Sequence, residues 1–371
     1  MDVEGVAEAL GLEPWRVKGA LNRRTIKRVT ARGLDYLVFR KDVSHVERGT
    51  AVFLGREVTA VRGFPKIRRA FYLAPMIERW MGDEVAVEEK MNGYNVRAFR
   101  AGEGMYALTR GGYICPYTTS RLRPLLEGFF EEHDYVVCGE VVGTENPYTV
   151  HEYPEAGGFA FFVFDLREKG TGRALPIKER NRLLGDFGIS PVRLFGTYKR
   201  EECARRVFEI LEDLAAEGRE GVVLKDPDME LVPMKYTTSR ANTSDLRYAF
   251  RFPYDYGRDF FFSRIIREGY QAVELDEGPE ALEERARRLG ESILYPMVEA
   301  IRMVRSGGFV GEEHLVRVSS LEELGELLDH LKKMGVDCLL GEVREEGGEY
   351  VAEIRRQRFR TTDKILSNLG K

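Results

Sequence analysis

The stretch Glu89-Lys90-Met91-Asn92-Gly93-Tyr94-Asn95-Val96-Arg97 decides how this chain reads. It follows the apolar run Val85-Ala86-Val87, which reads as a strand with Lys90 at its end. Asn92-Gly93 then reads as the turn of a tight hairpin, because Asn and Gly accept the positive φ angles such turns need. A lysine at a strand end, beside backbone that can approach a phosphate, is a candidate covalent nucleophile. The bland alternative is a solvated hairpin lysine. The residues downstream of Lys90 decide between them.

Five further segments come after Lys90 in order. Thr109-Arg110-Gly111-Gly112 closes the strand Tyr106-Ala107-Leu108. Val136 to Val141 is an apolar strand carrying one carboxylate, Glu140. Phe159 to Leu166 is an aromatic, β-favouring run that contains Phe164. Glu220 to Lys225 is a short strand with a charge at each end, and Val232 to Tyr236 brings Lys235. Glu140 sits among apolar residues, where an unpaired carboxylate is costly. Either it has a ligand to meet, or it forms a structural salt bridge, for instance to Arg110. Phe162 and Phe164 share one face of their strand by alternation.

Lysine, arginine, glutamate, phenylalanine, glutamate and lysine, met in that order on strands, resemble the motif set of covalent nucleotidyltransferases. That superfamily holds the ATP-dependent DNA and RNA ligases and the messenger-RNA capping enzymes. The wording from Glu89 to Arg97 is most similar to archaeal-type ATP-dependent RNA ligases, which join or circularise single-stranded RNA. The motifs span Glu88 to Tyr236, and a helical C-terminal extension in that family would account for much of the rest.

The resemblance implies an α+β fold with a mostly antiparallel nucleotidyltransferase core. It implies that Lys90 takes AMP from ATP, and that Glu140 binds a ribose hydroxyl and reaches a metal. Arg110 would hold the ribose or the RNA end, and Phe164 would stack on adenine. Glu220 would position Mg²⁺ or Mn²⁺, while Lys225 and Lys235 neutralise the α-phosphate. Glu89, Asn95 and Arg97, in the same motif as Lys90, would complete the nucleotide contacts. For Lys90 to attack it must lose a proton, so Lys225, Lys235 and Arg110 are expected to lower its pKa. Arg62-Gly63-Phe64-Pro65-Lys66 resembles a pre-lysine element of viral RNA ligases, which implies phosphate contacts from Arg62 and Lys66; a proline-bearing linker is the alternative. The chain departs from the wider pattern at Asn92, where many relatives carry aspartate. It departs again at Lys235-Tyr236-Thr237, where two lysines separated by one residue are usual.

Composition sets the outer bounds. A chain of 371 residues, 43% hydrophobic and 32% charged, reads as a soluble, cytoplasmic protein of several domains. Its start, Met1-Asp2-Val3-Glu4, is not that of a signal peptide, and no apolar run is long enough for a bilayer. Cys115, Cys138, Cys203 and Cys338 lack metal-site spacing and read as reduced thiols. Gln271 and Gln357 are the only glutamines, a bias that hints at a thermophilic source. A net charge of −4 excludes a protein wrapped continuously around nucleic acid but allows a basic groove. Cations concentrate between Arg16 and Arg32 and between Arg62 and Arg69.

Four regions are expected: a β-rich module over 1–75, the core over 76–240, a helical dimerisation segment over 241–309 and a small α+β domain over 310–371. The first should hold one short helix and four strands. The third is crowded with aromatics and continues into one long helix, Pro279 to Arg305. Its apolar stripe runs from Leu282 through Leu289, Ile293 and Met297 to Val304, with a kink or break expected at Pro296. The last region reads as strand, helix, strand, strand, helix. The aromatic and helical texture from Arg247 to Arg305 does not read as a five-stranded barrel, which separates the chain from DNA ligases that carry one. A GTP-using capping enzyme and a non-catalytic RNA-binding protein with an aromatic stacking platform are the remaining rivals.

Overall fold

The computed structural model describes residues 2–55 and 57–370; Met1, Arg56 and Lys371 lie outside the described residues. Two helices open the chain instead of one, α1 (Val3–Leu10) and α2 (Pro14–Asn22). Gly11 ends α1 at φ +63°, and Pro14 starts α2 in its first turn, so turn chemistry splits what reads as one helix. A four-stranded antiparallel meander comes next: β1 (Ile26–Ala31), β2 (Leu34–Phe39), β3 (Ala51–Leu54) and β4 (Val58–Val61).

The core contains β5 (Arg68–Arg69), α3 (Leu73–Trp80), β6 (Glu84–Lys90), β7 (Tyr94–Ala101), β8 (Gly104–Thr109) and α4 (Pro116–Glu132). It continues through β9 (Tyr135–Val142), β10 (Ala160–Glu168), α5 (Ile177–Asp186), β11 (Leu194–Lys199), α6 (Arg200–Ala216), β12 (Gly221–Lys225) and β13 (Met234–Thr237). These strands form two sheets, ordered β10-β9-β7-β8 and β11-β6-β12-β13-β5. All pairings are antiparallel except β13 with β5. The first sheet buries Val96, Val137 and Val163 against Leu122, Leu126 and Phe129 of α4 and Leu183 and Leu184 of α5. The second buries Val85, Val87, Val222 and Leu224 against α3 and α6. The expected 75/76 boundary falls inside α3.

The hairpin expected at Asn92-Gly93 does not form. β6 pairs with β11 and β12, whereas β7 pairs with β8 and β9, so the chain passes from one sheet to the other after Lys90. Asn-Gly chemistry permits a tight turn, but the long-range pairing of β6 and β7 with other strands overrides it.

After the core come α7 (Ser239–Phe250), α8 (Arg258–Glu274) and α9 (Pro279–Arg305). Of the kink or break expected at Pro296, the break is absent: α9 is continuous, and Pro296 is buried within it. Loss of one backbone donor is tolerated where neighbours hold the helix, and α9 packs against α7, α8 and α11. The last domain runs β14 (Gly311–Val318), α10 (Leu321–Lys333), β15 (Cys338–Glu346), β16 (Glu349–Gln357) and α11 (Phe359–Asn368), in the expected order. α10 is capped at its start: Ser320 Oγ accepts from Glu323 N–H, and the Glu323 carboxylate accepts from Ser319 N–H. This domain packs on the core through a shared cluster of Cys115 and Tyr117 with Val316, Leu324, Leu327 and Leu331. Among the described residues no helix is long and apolar enough to cross a membrane.

Candidate active site

A cleft of about 830 Å³ opens between the two core sheets. Lys90, at the end of β6, lies opposite Gly221 at the start of β12. Gly221 has φ +151°, and a Cβ there would come within 2.4 Å of the Tyr236 carbonyl oxygen. Glycine therefore lets β12 and β13 close up at this point, which brings the preceding Glu220 to Lys90. Lys90 Nζ donates to Glu220 Oε2 at 2.7 Å.

The crossing segment shapes the opposite wall. A Cβ on Gly93 would sit 2.1 Å from the Val141 carbonyl oxygen, so only glycine allows the chain this close to β9. That approach delivers the Gly93 N–H to the Glu140 carboxylate. Glu140 lies across from Asn95 on β7 and Phe162 on β10. Burial pushes its carboxyl up to about 7; Lys90 and Arg110 oppose the shift and Glu220 adds to it. Arg110 is exposed at the cleft edge and forms no ion pair with Glu140.

The Lys90 pKa departs from expectation. Burial acts to lower it, but the charges of Glu220 and Glu140 outweigh burial and carry it above its ordinary value. The lysine that is depressed is Lys235 on β13, pushed to about 8 by burial and then by the charges of Lys90 and Arg69. No carboxylate pairs with Lys235 among the described residues.

Lys225, at the far end of β12, also lines the cleft, but its ammonium is engaged. It pairs with Glu88 at 2.7 Å and Asp165 at 2.9 Å, and donates to the Phe164 carbonyl at 2.7 Å. Arg180 reaches both Glu88 and the same carbonyl, and Arg167 pairs with Asp165 at 2.8 Å. Phe164 occupies a bulge between β10 and β9, and Lys225 and Arg180 hold its backbone there. Its ring lines the cleft, meeting Phe64 edge-on at 5.0 Å.

The remaining expected residues divide. Glu89 is buried on the cleft wall and paired with Arg219 at 2.9 Å. Asn95 lines the cleft with a buried Oδ1 that has no partner, an acceptor ready for a ligand hydroxyl or amine. Arg97 is outside the cleft lining. Buried among backbone oxygens, its guanidinium donates to the carbonyls of Gly49 and Thr109, each at 2.9 Å, and to that of Arg62. It thereby ties the amino-terminal module to the core. Arg62 likewise donates to Gly170 and Leu10 carbonyls at 2.7 and 3.1 Å. Lys66 is exposed, pairs with Asp42 at 3.0 Å and lines an adjoining lobe with Arg110.

Sequence reasoning missed the Glu88–Lys225–Asp165–Arg180 cluster, for which no local signal exists. It also missed the stacking wall from Phe64, although that residue lies within the Arg62–Lys66 stretch. No group of three or more His, Cys, Asp or Glu that could hold a metal ion occurs among the described residues. Two carboxylates facing a lysine suit a hard divalent cation that keeps waters and takes substrate phosphate oxygens as its other ligands.

A family model described as RNA ligase matches residues 83–237, and one described as Ligase Pab1020 C-terminal region matches 248–370. The chain is similar to an uncharacterized protein of Methanocaldococcus jannaschii, with 40% identity covering 100% of this chain and 96% of the relative. Two forms of a solved structure described as an archaeal ATP-dependent RNA ligase superpose with TM-score 0.95 and 46% identity, covering 100% of this chain and 99% of theirs. A structure described as "Putative ATP-dependent DNA ligase from Aquifex aeolicus" matches with TM-score 0.89 and 31% identity, over 96% of this chain and 99% of that one. The fold is that of a nucleotidyltransferase. Within that class, the chain belongs to the archaeal ATP-dependent RNA ligase family.

Proposed function

We propose that this protein joins or circularises single-stranded RNA, sealing 5′-phosphate to 3′-hydroxyl ends with ATP through a lysyl-AMP intermediate on Lys90. Lys90 Nζ attacks the α-phosphorus of ATP: an N–P bond forms, the bond to the β-phosphate oxygen breaks, pyrophosphate leaves and the amine loses a proton. The AMP then passes to an oxygen of the RNA 5′-phosphate, regenerating the lysine. A 3′-hydroxyl finally displaces AMP to make the phosphodiester. The observation that carries this reading is Lys90 hydrogen-bonded to Glu220 at 2.7 Å in the cleft, with Glu140 beside them.

Phe164 offers a flat face for adenine, and Asn95 with Glu140 offers acceptors for ribose hydroxyls. Glu89 fixes the wall behind Lys90. Lys235 and Lys225 are the cations for the phosphates, and of the two Lys235 is the one without a carboxylate partner. Arg110 suits the RNA end or ribose, with Lys66 and Arg62 further out. Glu220 and Glu140 would hold Mg²⁺ or Mn²⁺. Such an ion supplies positive charge to the phosphates and relieves the two carboxylates' hold on the Lys90 proton.

On this reading the chain divides into module 1–75, adenylation core 76–240, helical segment 241–309 and domain 310–371, and it works as a cytoplasmic homodimer. Support for the dimer comes from α8 and α9. They bury Arg264, Arg267, Glu268, Gln271, Arg285 and Ser292 while exposing Phe262, Tyr270, Val273, Leu282, Leu294 and Tyr295. The carboxy-terminal domain covers only part of α9, where Ala300 and Val304 meet Val310 and Ile365. An apolar face this large suits a second copy. Sedimentation at micromolar protein tests it: a mass near 42.5 kDa throughout defeats the dimer.

The catalytic reading is tested with α-labelled ATP and GTP. Label should transfer to protein from ATP, and transfer from GTP alone would favour a capping-type enzyme. Single-stranded RNA and a nicked DNA duplex, offered side by side, separate an RNA from a DNA ligase. Sealing of the nick in preference to RNA overturns the substrate assignment.

A further inference from the structure

Cations from two distant parts of the chain gather at the cleft mouth. Lys27, Arg40 and Arg48 of the amino-terminal module and Lys333 of α10 line the same cleft as Lys90, and all four are exposed. None of the four side chains forms an ion pair among the described residues, although the Arg48 backbone N–H donates to Asp42 at 2.8 Å. What sets these four apart is their convergence on one cleft, the one that holds Lys90. The acids of the cleft wall lie deeper: Glu88 and Asp165 are engaged by Lys225 and Glu89 by Arg219, while Glu140 sits beside Lys90. The mouth therefore gathers four exposed cations in a chain whose net charge is −4, with Asp42 and Asp329 among the acids near them.

The rim is contributed by two regions far apart in sequence, and the contact between them is built. Arg32 of the module pairs with Glu326 of α10 at 3.0 Å. Tyr148 of the core meets His330, on the last turn of α10, at 2.9 Å. Arg317 of β14 pairs with Glu145 at 3.1 Å. These contacts set the end of α10, and hence Lys333, Met334 and Gly335, against the cleft. A lysine in the last turn of a helix also complements the helix dipole, but that does not account for three further unpaired cations facing it from another domain.

We propose that Lys27, Arg40, Arg48 and Lys333 form a phosphate-binding rim that holds the RNA strand between the amino-terminal module and the carboxy-terminal domain. This deepens the RNA-ligase reading and rests on it. A single strand presents one charge per nucleotide, so several separated, unpaired cations suit it better than a compact triphosphate. The carboxy-terminal domain thereby supplies one side of a substrate clamp.

The test is fluorescence anisotropy of a 5′-phosphorylated oligoribonucleotide against KCl concentration, for wild type, Lys333→Glu, and the combined Lys27→Ala, Arg40→Ala, Arg48→Ala, Lys333→Ala variant. Each cation lost should flatten the slope of log K against log salt by about 0.7, so the combined variant should lose about 3. Its affinity at low salt should fall by at least roughly tenfold, with Lys333→Glu alone giving a severalfold loss. Labelling by ATP serves as the control for folding and should persist in every variant. An unchanged slope in the combined variant overturns the rim. A normal slope and affinity in Lys333→Glu overturns the clamp by the carboxy-terminal domain. Parallel loss of ATP labelling assigns these cations to the triphosphate and likewise overturns the proposal. Failure of the wild type to bind RNA while sealing nicked DNA is separate: it defeats the RNA reading itself.

Discussion

Two lysine–carboxylate clusters share the strands β6 and β12, one near each end, and they are built to opposite rules. At one end Lys225 is enclosed by Glu88 and Asp165, with Arg180 and Arg167 as their further partners. At the other, Lys90 has Glu220 as its ion-pair partner, Glu140 has none, and Lys235 is left a cation among cations. The first cluster is what a folding protein does with buried charge: it pairs every member and anchors a backbone bulge. The second leaves groups mismatched with their surroundings, which is where perturbed titration and ligand chemistry concentrate. The same residue types serve a frame in one place and a reaction centre in the other, and pairing separates them.

The largest expected effects separate the clusters by measurement. Lys90→Ala should abolish protein labelling by ATP while the melting temperature stays within a few degrees of wild type. It should still join RNA that already carries a 5′-adenylate, since that step needs no enzyme–AMP bond. An adduct persisting in Lys90→Ala, or mapped to another lysine, sinks the assignment. Lys225→Met should lower stability as well as adenylation, leaving Glu88 and Asp165 buried with one cation fewer. Breaking a buried pair from one side costs about 3–5 kcal/mol, seen as a lower denaturation midpoint. A Lys225→Met protein as stable as wild type would erase the distinction between the clusters.

Next in size are Glu220→Ala and Lys235→Ala, which should slow adenylation by about tenfold to a hundredfold each, as loss of one charge at a transferring phosphoryl group does. Loss in Glu220→Ala should be accompanied by a weaker dependence on Mg²⁺ or Mn²⁺ concentration. Wild-type adenylation rates in either variant would return that residue to a structural role.

Local pattern was enough to place the strands carrying Lys90, Glu140, Phe164 and Lys235, because each is a short β-favouring run with one polar residue out of place. It failed where long-range pairing decides. Asn92-Gly93 carries hairpin chemistry, yet β6 and β7 belong to different sheets, and nothing in the neighbouring residues says so. Periodicity also located α9, but its buried polar face was not legible: Arg285 and Ser292 are buried against neighbours that only the fold supplies. For Arg97 the motif carries no sign that three backbone carbonyls claim its guanidinium. The depressed pKa belongs to Lys235 and not to Lys90, because the charges that decide it, Glu220 beside Lys90 and Lys90 beside Lys235, come from distant parts of the sequence.

The smallest effect is also the sharpest test of mismatch at the second cluster. Lys235 has its pKa lowered from 10.5 to about 8, chiefly by burial. Between those two values the unfolded chain holds the proton more tightly than the folded one, so stability rises with pH across the window. Below about pH 8 the lysine is charged in both states and its desolvation cost is fully present. Lys235→Met keeps the side-chain length and removes the charge, so it should be more stable than wild type at about pH 7, by on the order of 2 kcal/mol. That advantage should shrink as pH rises past 8 and disappear only above 10.5, where wild type is neutral in both states. Urea unfolding at a series of pH values reads it directly. A stability difference that is constant with pH, or wild type being the more stable at neutral pH, would show that Lys235 is satisfied where it sits. The stabilised variant should also be slower in adenylation, because the unpaired charge that burdens the fold is the one the phosphates require.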